Sequence, residues 1–469
     1  MATLIMKFGG SSVGTAAALT QVLSIVLHEQ SRWSRLILVA SALDGVTDML
    51  LEAAYLAQVS NHRGYRRIAA QLRTRHMALV DQLPLGASER SALQADIDRL
   101  LFEMLDQCQN MANQPSEKLS PAFNDHISSV GEKLSARIIA SLLRQNNLLS
   151  VAIDGTDIIV TDDTHGNATP NMELTALRIQ HNLLPMIDRG IIPVVTGYIG
   201  ATPSGATTTI GRGGSDYTAS VLAMCTDAQE VWIWSGVDGM MSADPHEVSE
   251  ARVIPELSYT EVAELAYFGA RILHARMIAP LKERQIALRV KNVFKPQLPG
   301  TLIHDATQDK TPRIKAVTSI QAIGLLANRS GSLSEITRLV DDTLHSSVGT
   351  RADVMISSQS STSSFLCFIV PTSVAMEAVD SLRATLNEKL REMHENVKWQ
   401  VKPLSVVTAI GEDLDESMAI IAEIVQQLNG TRVLGIAQGP SRCSLSVIVE
   451  AHDAEIALDK IHRLTLKNG

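Results

Sequence analysis

The chain has 469 residues, 45% hydrophobic and 19% charged, with a formal net charge of −9 at pH 7. That length gives room for two or three domains with large cores. The mild acidity and 4% aromatic content argue against a nucleic-acid surface. No apolar run approaches about 18 residues, so neither a transmembrane helix nor a membrane partner is expected. The four cysteines (Cys108, Cys225, Cys367, Cys443) form no C-x-x-C pair, which fits reduced cytoplasmic thiols and no metal cluster. Lys7 and two glycines interrupt the first apolar run, leaving no signal-peptide pattern.

The first element is a strand at Leu4-Ile5-Met6. It leads into Lys7-Phe8-Gly9-Gly10-Ser11-Ser12, ahead of a helical pattern from about Val13. Glycine amides can approach anionic oxygens closely, a helix start adds partial positive charge, and the lysine adds a full one. Those are the parts of a polyphosphate cradle, although an ordinary strand–turn–helix corner has the same look. The lysine precedes the glycines, so this is not a Walker A loop.

Further strands are expected at Leu36–Ala40, Ser150–Ile153, Ile191–Thr196, Glu230–Trp234 and Ala287–Lys291. Helices are expected at Ala16–Leu27, Thr47–Val59, Arg66–Gln82, Ser88–Met111, Ile127–Leu143 and Met172–Ile187. Strands separated by helices make an α/β fold, a mainly parallel sheet sandwiched by helices. The helical stretch from 47 to 145 reads as a lid or subdomain.

Four further motifs stand on this frame. Ser128 to Ser135 contains Gly131-Glu132; the glutamate either faces solvent beside Lys133 and Arg137 or lies in a cleft, accepting from a substrate ammonium. Thr207 to Tyr217 is a second glycine-rich loop, in which Gly213 and Gly214 offer amides and Arg212 a bidentate fork. Asp216 there is either a helix-start residue or the partner that orients Lys7. Trp234 to Gly239, followed by Ser242 to Pro245, lies where a strand's carboxyl end would receive a nucleotide. Phe268 to His274 reads first as helix packing.

Pro296, Pro299-Gly300 and Pro312 mark a change of texture. The expected division is a catalytic domain over 1–305, a linker over 306–315, and two similar α+β units over 316–395 and 396–469. Each unit opens with a strand (Ile320–Leu326; Leu404–Ile410) and a helix (Leu333–Leu344; Glu416–Leu428). Each later carries a comparable strand (Phe365–Val370; Ser444–Val449) and a further amphipathic helix. This βαββαβ-like duplication suggests paired ligand-binding modules.

Taken together, Lys7 to Val13, Ser41 to Asp48, Gly131-Glu132, Thr161 to Ala168, Thr196 to Tyr217, Val237 to Pro245 and Phe268 to His274 resemble the aspartate kinase family of the amino-acid kinase superfamily. The duplicated C-terminal units resemble its paired ACT (ferredoxin-like) regulatory modules, and the form resembled lacks a fused dehydrogenase. The resemblance implies ATP as phosphoryl donor, a phosphate-bridging Mg²⁺ and L-aspartate as acceptor. It assigns Lys7 to the transferring phosphoryl group, Gly9, Gly10, Ser11, Gly213 and Gly214 to the phosphates, and Asp216 to organising the lysine. Ser41, Glu132, Arg212, Gly213 and Ser215 fall to the amino-acid substrate, with Glu132 on its ammonium and Arg212 on its α-carboxylate. Ser235, Gly236, Asp238, Met241, Asp244, His246 and Arg271 fall to the adenosine side.

Departures from the family lie on that adenosine side, where many relatives have aspartate at Gly236, tyrosine near Met241, arginine at His246, lysine at Arg271 and proline at Ala275. Asn328, Ser330, Gln359 and Gln438 fall in effector turns, and Ala437-Gln438-Gly439 favours threonine over lysine as effector. A homodimer or larger homo-oligomer is also implied. Two other readings stay open: a kinase acting on a related carboxylate or carbamate, and a catalytically silent amino-acid sensor.

Overall fold

The computed structural model describes residues 2–113, 120–270, 273, 275–305, 313–328, 332–348, 351, 353–370, 376–393, 398–414 and 417–467. Its contacts divide the chain into two units. Met1–Met240, Pro255–Leu257 and Leu273–Asp305 make the first, and Met241–Ile254, Ser258–Ile272 and Ala306–Gly469 the second.

The first unit is built on strands β1 (Thr3–Phe8), β2 (Arg35–Ala40), β3 (Ser150–Ile153), β4 (Ile192–Thr196), β7 (Glu230–Ser235), β8 (Glu256–Leu257), β9 (Ala287–Asn292) and β10 (Thr301–Ile303), with a small hairpin of β5 (Ile199–Ala201) and β6 (Thr207–Thr209). The sheet order is β3-β4-β2-β1-β7-β9-β10-β8. Every pairing is parallel except β9 with β10. The expected parallel sheet sandwiched by helices is thus present. Because β1, β2, β4 and β7 run the same way, their carboxyl ends open on one side.

Side chains alternate across β1. Leu4, Met6 and Phe8 enter a core with Trp232 and Trp234 of β7 and with the helix Ala16–Glu29, while Lys7 takes the opposite face. Phe8 stacks on Trp234 with ring centroids 6.1 Å apart. The helices Val46–Gln58, His62–Gln82, Ala87–Asn113 and Val130–Gln145 add Leu50, Leu72, Leu100 and Leu142 to this same core.

Two expected helices are interrupted. The 127–143 pattern is split at Ser129, between helices Pro121–Ser128 and Val130–Gln145. The 172–187 pattern contains a π turn at Ile179–Leu183. Pro185 follows that turn; it lacks an N–H and crowds the carbonyl four residues back, which widens the helix there.

The second unit holds one six-stranded antiparallel sheet, ordered β12-β13-β11-β14-β16-β15. The strands are β11 (Arg313–Ala327), β12 (Asp353–Gln359), β13 (Ser364–Ile369), β14 (Trp399–Glu412), β15 (Val433–Gln438) and β16 (Ser444–Glu450). β11 and β14 pair along their whole length, from Arg313↔Glu412 to Ala327↔Trp399. β13 joins β11 only from Ala322 onward, and β16 joins β14 only from Leu404 onward. Each half of the ladder therefore completes a different βαββαβ module. One has a core of Ile323, Leu325, Leu344, Phe368 and Leu386. The other has a core of Val317, Val407, Val447, Ile461 and Leu464. These are the two ACT-like α+β modules.

Both long strands outrun their expected limits because they carry polar residues that the sheet buries with partners. Lys315, 5% exposed at its side chain, lies 2.9 Å from Glu261 and 3.4 Å from Glu412. Among the described residues no helix is long and apolar enough to cross a membrane.

Candidate active site

Ligands of open α/β sheets bind beyond the carboxyl ends of the strands. There, in the first unit, segments after β1, β2, β4 and β6 meet the helix Val130–Gln145 around a cleft of 550 Å³. Its walls include Lys7, Ser41, Thr47, Asp48, Glu132, Gly166, Tyr198 and Gly211 to Asp216.

Lys7, one residue before the end of β1, places Nζ 2.6 Å from Asp216 Oδ1, the two side chains being 12% and 13% exposed. Asp216 stands in the first turn of the helix Gly214–Cys225. Its charge therefore answers both the helix N-terminus and the ammonium. Gly9 and Gly10 follow β1 directly, with the Gly9 N–H donating to Trp234 O at 3.3 Å, and Ser11 is exposed beside them. Arg212, exposed in the turn that ends at the left-handed Gly213, lines the same cleft.

Glu132 occupies the first turn of its helix and is only 3% exposed. Its Oε1 accepts from the Ala42 N–H at 3.3 Å, while Oε2 has no hydrogen-bond partner among the described residues. Burial pushes its carboxyl up to about 8. Gly131 makes this placement feasible: a Cβ there would stand 2.8 Å from Ala42 Cβ and 3.2 Å from Leu50 and Val46 carbons. The sequence left Glu132 open between solvent and cleft, and the structure places it in the cleft.

Ser41 and Ser215 line the same space. Tyr198, Thr47, Asp48 and Gly166 also line it; they fall within the segments that carry the family resemblance but had no role of their own there. Tyr198 carries a left-handed backbone (φ 69°), uncommon for a bulky residue, and no local signal announces it. Its phenol is pushed up, first by burial.

Ser235, Gly236 and Asp238 stand at the carboxyl end of β7 in the first unit but outside this cleft. Asp238 is engaged by Lys295 at 2.8 Å and Asn292 at 2.5 Å, and Lys295 holds its carboxyl below the usual range. Apart from its chain neighbours, none of the described residues comes within 4 Å of where a Cβ on Gly236 would stand. Met241, Asp244 and His246 belong to the second unit, where Asp244 Oδ1 accepts from the His246 N–H at 2.9 Å. Asn328, Gln359 and Gln438 lie at the ends of β11, β12 and β15 in that unit, and Gln359 donates to Ser364 Oγ at 3.3 Å. Arg271 and Ser330 lie outside the described residues.

At the carboxyl edge of a mainly parallel sheet, a lysine thus meets a glycine-rich turn that opens a helix. The chain belongs to the amino acid kinase family, whose pattern matches residues 2–292. It is 27% identical to the bifunctional aspartokinase/homoserine dehydrogenase 2 of Arabidopsis thaliana, over 98% of this chain and 50% of that protein. It is also 27% identical to the lysine-sensitive aspartokinase 3 of Escherichia coli, over 98% of each. Among solved structures, Escherichia coli aspartokinase III in complex with aspartate and ADP matches with a TM-score of 0.76 at 27% identity, covering 99% of this chain and 100% of that one. The chain spans about half the length of several of the curated relatives it matches.

Proposed function

We propose that the protein transfers the γ-phosphoryl group of ATP to the side-chain carboxylate of L-aspartate, giving 4-phospho-L-aspartate. The observation that carries this reading is the pairing, in one cleft, of the partly buried Lys7–Asp216 couple with Glu132 and Arg212. The first couple suits phosphate, and the second suits the two charged ends of an amino acid. The acceptor carboxylate has an ordinary pKa near about 4, so it is already an anionic nucleophile and needs no general base. What remains is positioning and charge neutralisation. Lys7 would stand by the transferring phosphoryl group and Gly9, Gly10 and Ser11 by the phosphates. Glu132 would hold the ammonium and Arg212 the α-carboxylate.

Mg²⁺ bound through phosphate oxygens keeps several waters and takes only one or two protein carboxylates. Asp48 and Asp216, both lining the cleft, are the residues that would hold it. Among the described residues no group of three His, Cys, Asp or Glu converges as a cage of its own. When bound, the ion supplies charge neutralisation between the phosphates.

The reading extends to the first step of the aspartate-derived amino-acid pathway, with feedback by an amino acid in the second unit, threonine favoured over lysine. Its support is the resemblance of the Ala437-Gln438-Gly439 segment, at the end of β15, to effector loops of threonine-responsive relatives. We also infer a homodimer or larger assembly from the paired modules. The deciding measurement is aspartyl hydroxamate formation from ATP, Mg²⁺ and aspartate. No product from folded protein overturns the kinase reading and leaves an amino-acid sensor; inhibition by lysine in preference to threonine overturns the effector assignment alone.

A further inference from the structure

Asp125 is a buried carboxylate, 3% exposed, that the proposed chemistry does not use. It sits near the end of the helix Pro121–Ser128 and takes hydrogen bonds from two distant segments. His165 Nδ1 lies 2.8 Å from Oδ2, and the Gly166 N–H donates to the two oxygens at 3.0 and 3.1 Å. Thr209 Oγ1 donates to Oδ1 at 2.5 Å. The loop at residues 162–168 is thus tied to the end of β6, and the Ala168 N–H adds a backbone bond to Thr209 O at 2.9 Å.

A second residue grips the other side of the same loop. Arg276 donates to Asn167 Oδ1 at 2.7 Å and to Ile210 O at 2.9 Å. Its guanidinium also stacks 5.1 Å from the centroid of Tyr217. Between these two grips lies Gly211, with φ 81°. A Cβ there would stand 2.8 Å from Asn167 Oδ1 and 3.1 Å from Gly166 O. The turn that carries Arg212 therefore rests on the 162–168 loop as on a mould.

We infer that Asp125 and Arg276 are positioning residues that fix the Gly211–Gly213 turn, and through it the arginine that receives the amino acid's carboxylate. The identity of that ligand rests on the function proposed above; the positioning itself rests on the geometry alone. These bonds tie both residues to the 162–168 loop and to Thr209, Ile210 and Tyr217, so Gly213 moves with the turn while Gly9, Gly10 and Ser11 hang on β1. A buried carboxylate with three kinds of donor is a high-stakes network, because losing its charge weakens every bond at once. Arg276 acts through a planar fork that lysine cannot copy.

The test uses the full chain with Asp125→Asn and Arg276→Lys. Backbone hydrogen exchange is followed at residues 210–214 and, as control, at 9–13; hydroxamate kinetics are measured against each substrate. We expect exchange at 210–214 to rise about tenfold with the control unchanged, as for a local opening. KM for aspartate should rise about tenfold, and by clearly more than KM for ATP, because Gly9, Gly10 and Ser11 stay in place. Unchanged exchange at 210–214, or an equal rise at both segments, overturns the proposal, as does an equal change in both KM values. Arg276→Lys carries the test if Asp125→Asn does not fold. Wild type that makes no hydroxamate overturns the aspartate reading, and the exchange experiment still judges the positioning.

Discussion

The ammonium of Lys7 and the carboxylate of Asp216, 2.6 Å apart, join the end of β1 to the first turn of the helix Gly214–Cys225. The pair holds a positive charge at the mouth of the sheet while keeping it neutralised in the free protein. A ligand phosphate would compete with Asp216 for that ammonium. Lys7→Met should cost about 10²–10³ in kcat, the usual price of one preorganised charge donor. Asp216→Asn, which leaves the ammonium in place but unoriented, should cost less. Hydroxamate assays check both; a Lys7→Met enzyme with more than about a tenth of wild-type kcat contradicts the assignment.

Glu132 predicts a pH signature. Its folded carboxyl titrates at about 8, above the ordinary 4.5. Between those values the folded protein holds a proton that the unfolded chain has released. Its contribution is complete below the lower value and is lost as pH rises through the higher one. Wild-type stability measured by urea midpoint should therefore decline from pH 5 to pH 8 more steeply than that of Glu132→Gln. Parallel declines would refute this. An ammonium ligand favours the ionised form, so aspartate binding near neutral pH should release a proton. Calorimetry in buffers of different ionisation enthalpy measures that release.

Gly131 brings the backbone of its helix against Ala42, the residue whose N–H holds Glu132. Gly131→Ala introduces a carbon where only 2.8 Å is available. Overpacking of this kind costs about 1–3 kcal/mol. KM for aspartate should rise more than KM for ATP, since the clash falls on Ala42, which holds Glu132 directly and only borders Gly10 of the β1 loop. An enzyme whose two KM values both match wild type would show that the helix can retreat without moving Glu132.

Gly411 pairs with Ile314 in the β11–β14 ladder, and a Cβ there would stand 1.9 Å from Arg313 O. The obstruction is backbone, so the strands must separate. Gly411→Ala should destabilise the second unit by more than about 2 kcal/mol, a size expected when packing and sheet bonds fail together. Amino-acid inhibition should weaken, with uninhibited kcat retained. Thermal melting and inhibition curves check this, and full inhibition by a melted-down variant is the contrary result.

Local pattern made much of this molecule legible. The strands that carry Lys7 and Ser41 are apolar runs bounded by glycine or serine, and glycine pairs marked both loops of the cleft. What pattern did not reveal is polar burial set by distant partners. Lys315 falls at the end of the stretch expected as a linker, yet Glu261 and Glu412 satisfy it inside the sheet. Asp125 reads as a surface residue because His165 and Thr209, its partners, are 40 and 84 positions away. Tyr198 gives no signal because its backbone conformation is imposed by neighbours: its N–H meets Thr218 and its carbonyl meets Ile210.

The long β11–β14 ladder bears on how the chain is made. Arg313 is synthesised well before Glu412, its partner, so neither ACT-like module can close its sheet until β14 has left the ribosome. Pairing across such a span is slow to form. The exposed apolar face of β11 must wait meanwhile, and it is the stretch of the nascent chain where a chaperone would have most to protect. It also means that neither repeat can be deleted without unfinishing the other: the duplication is inherited as a pair.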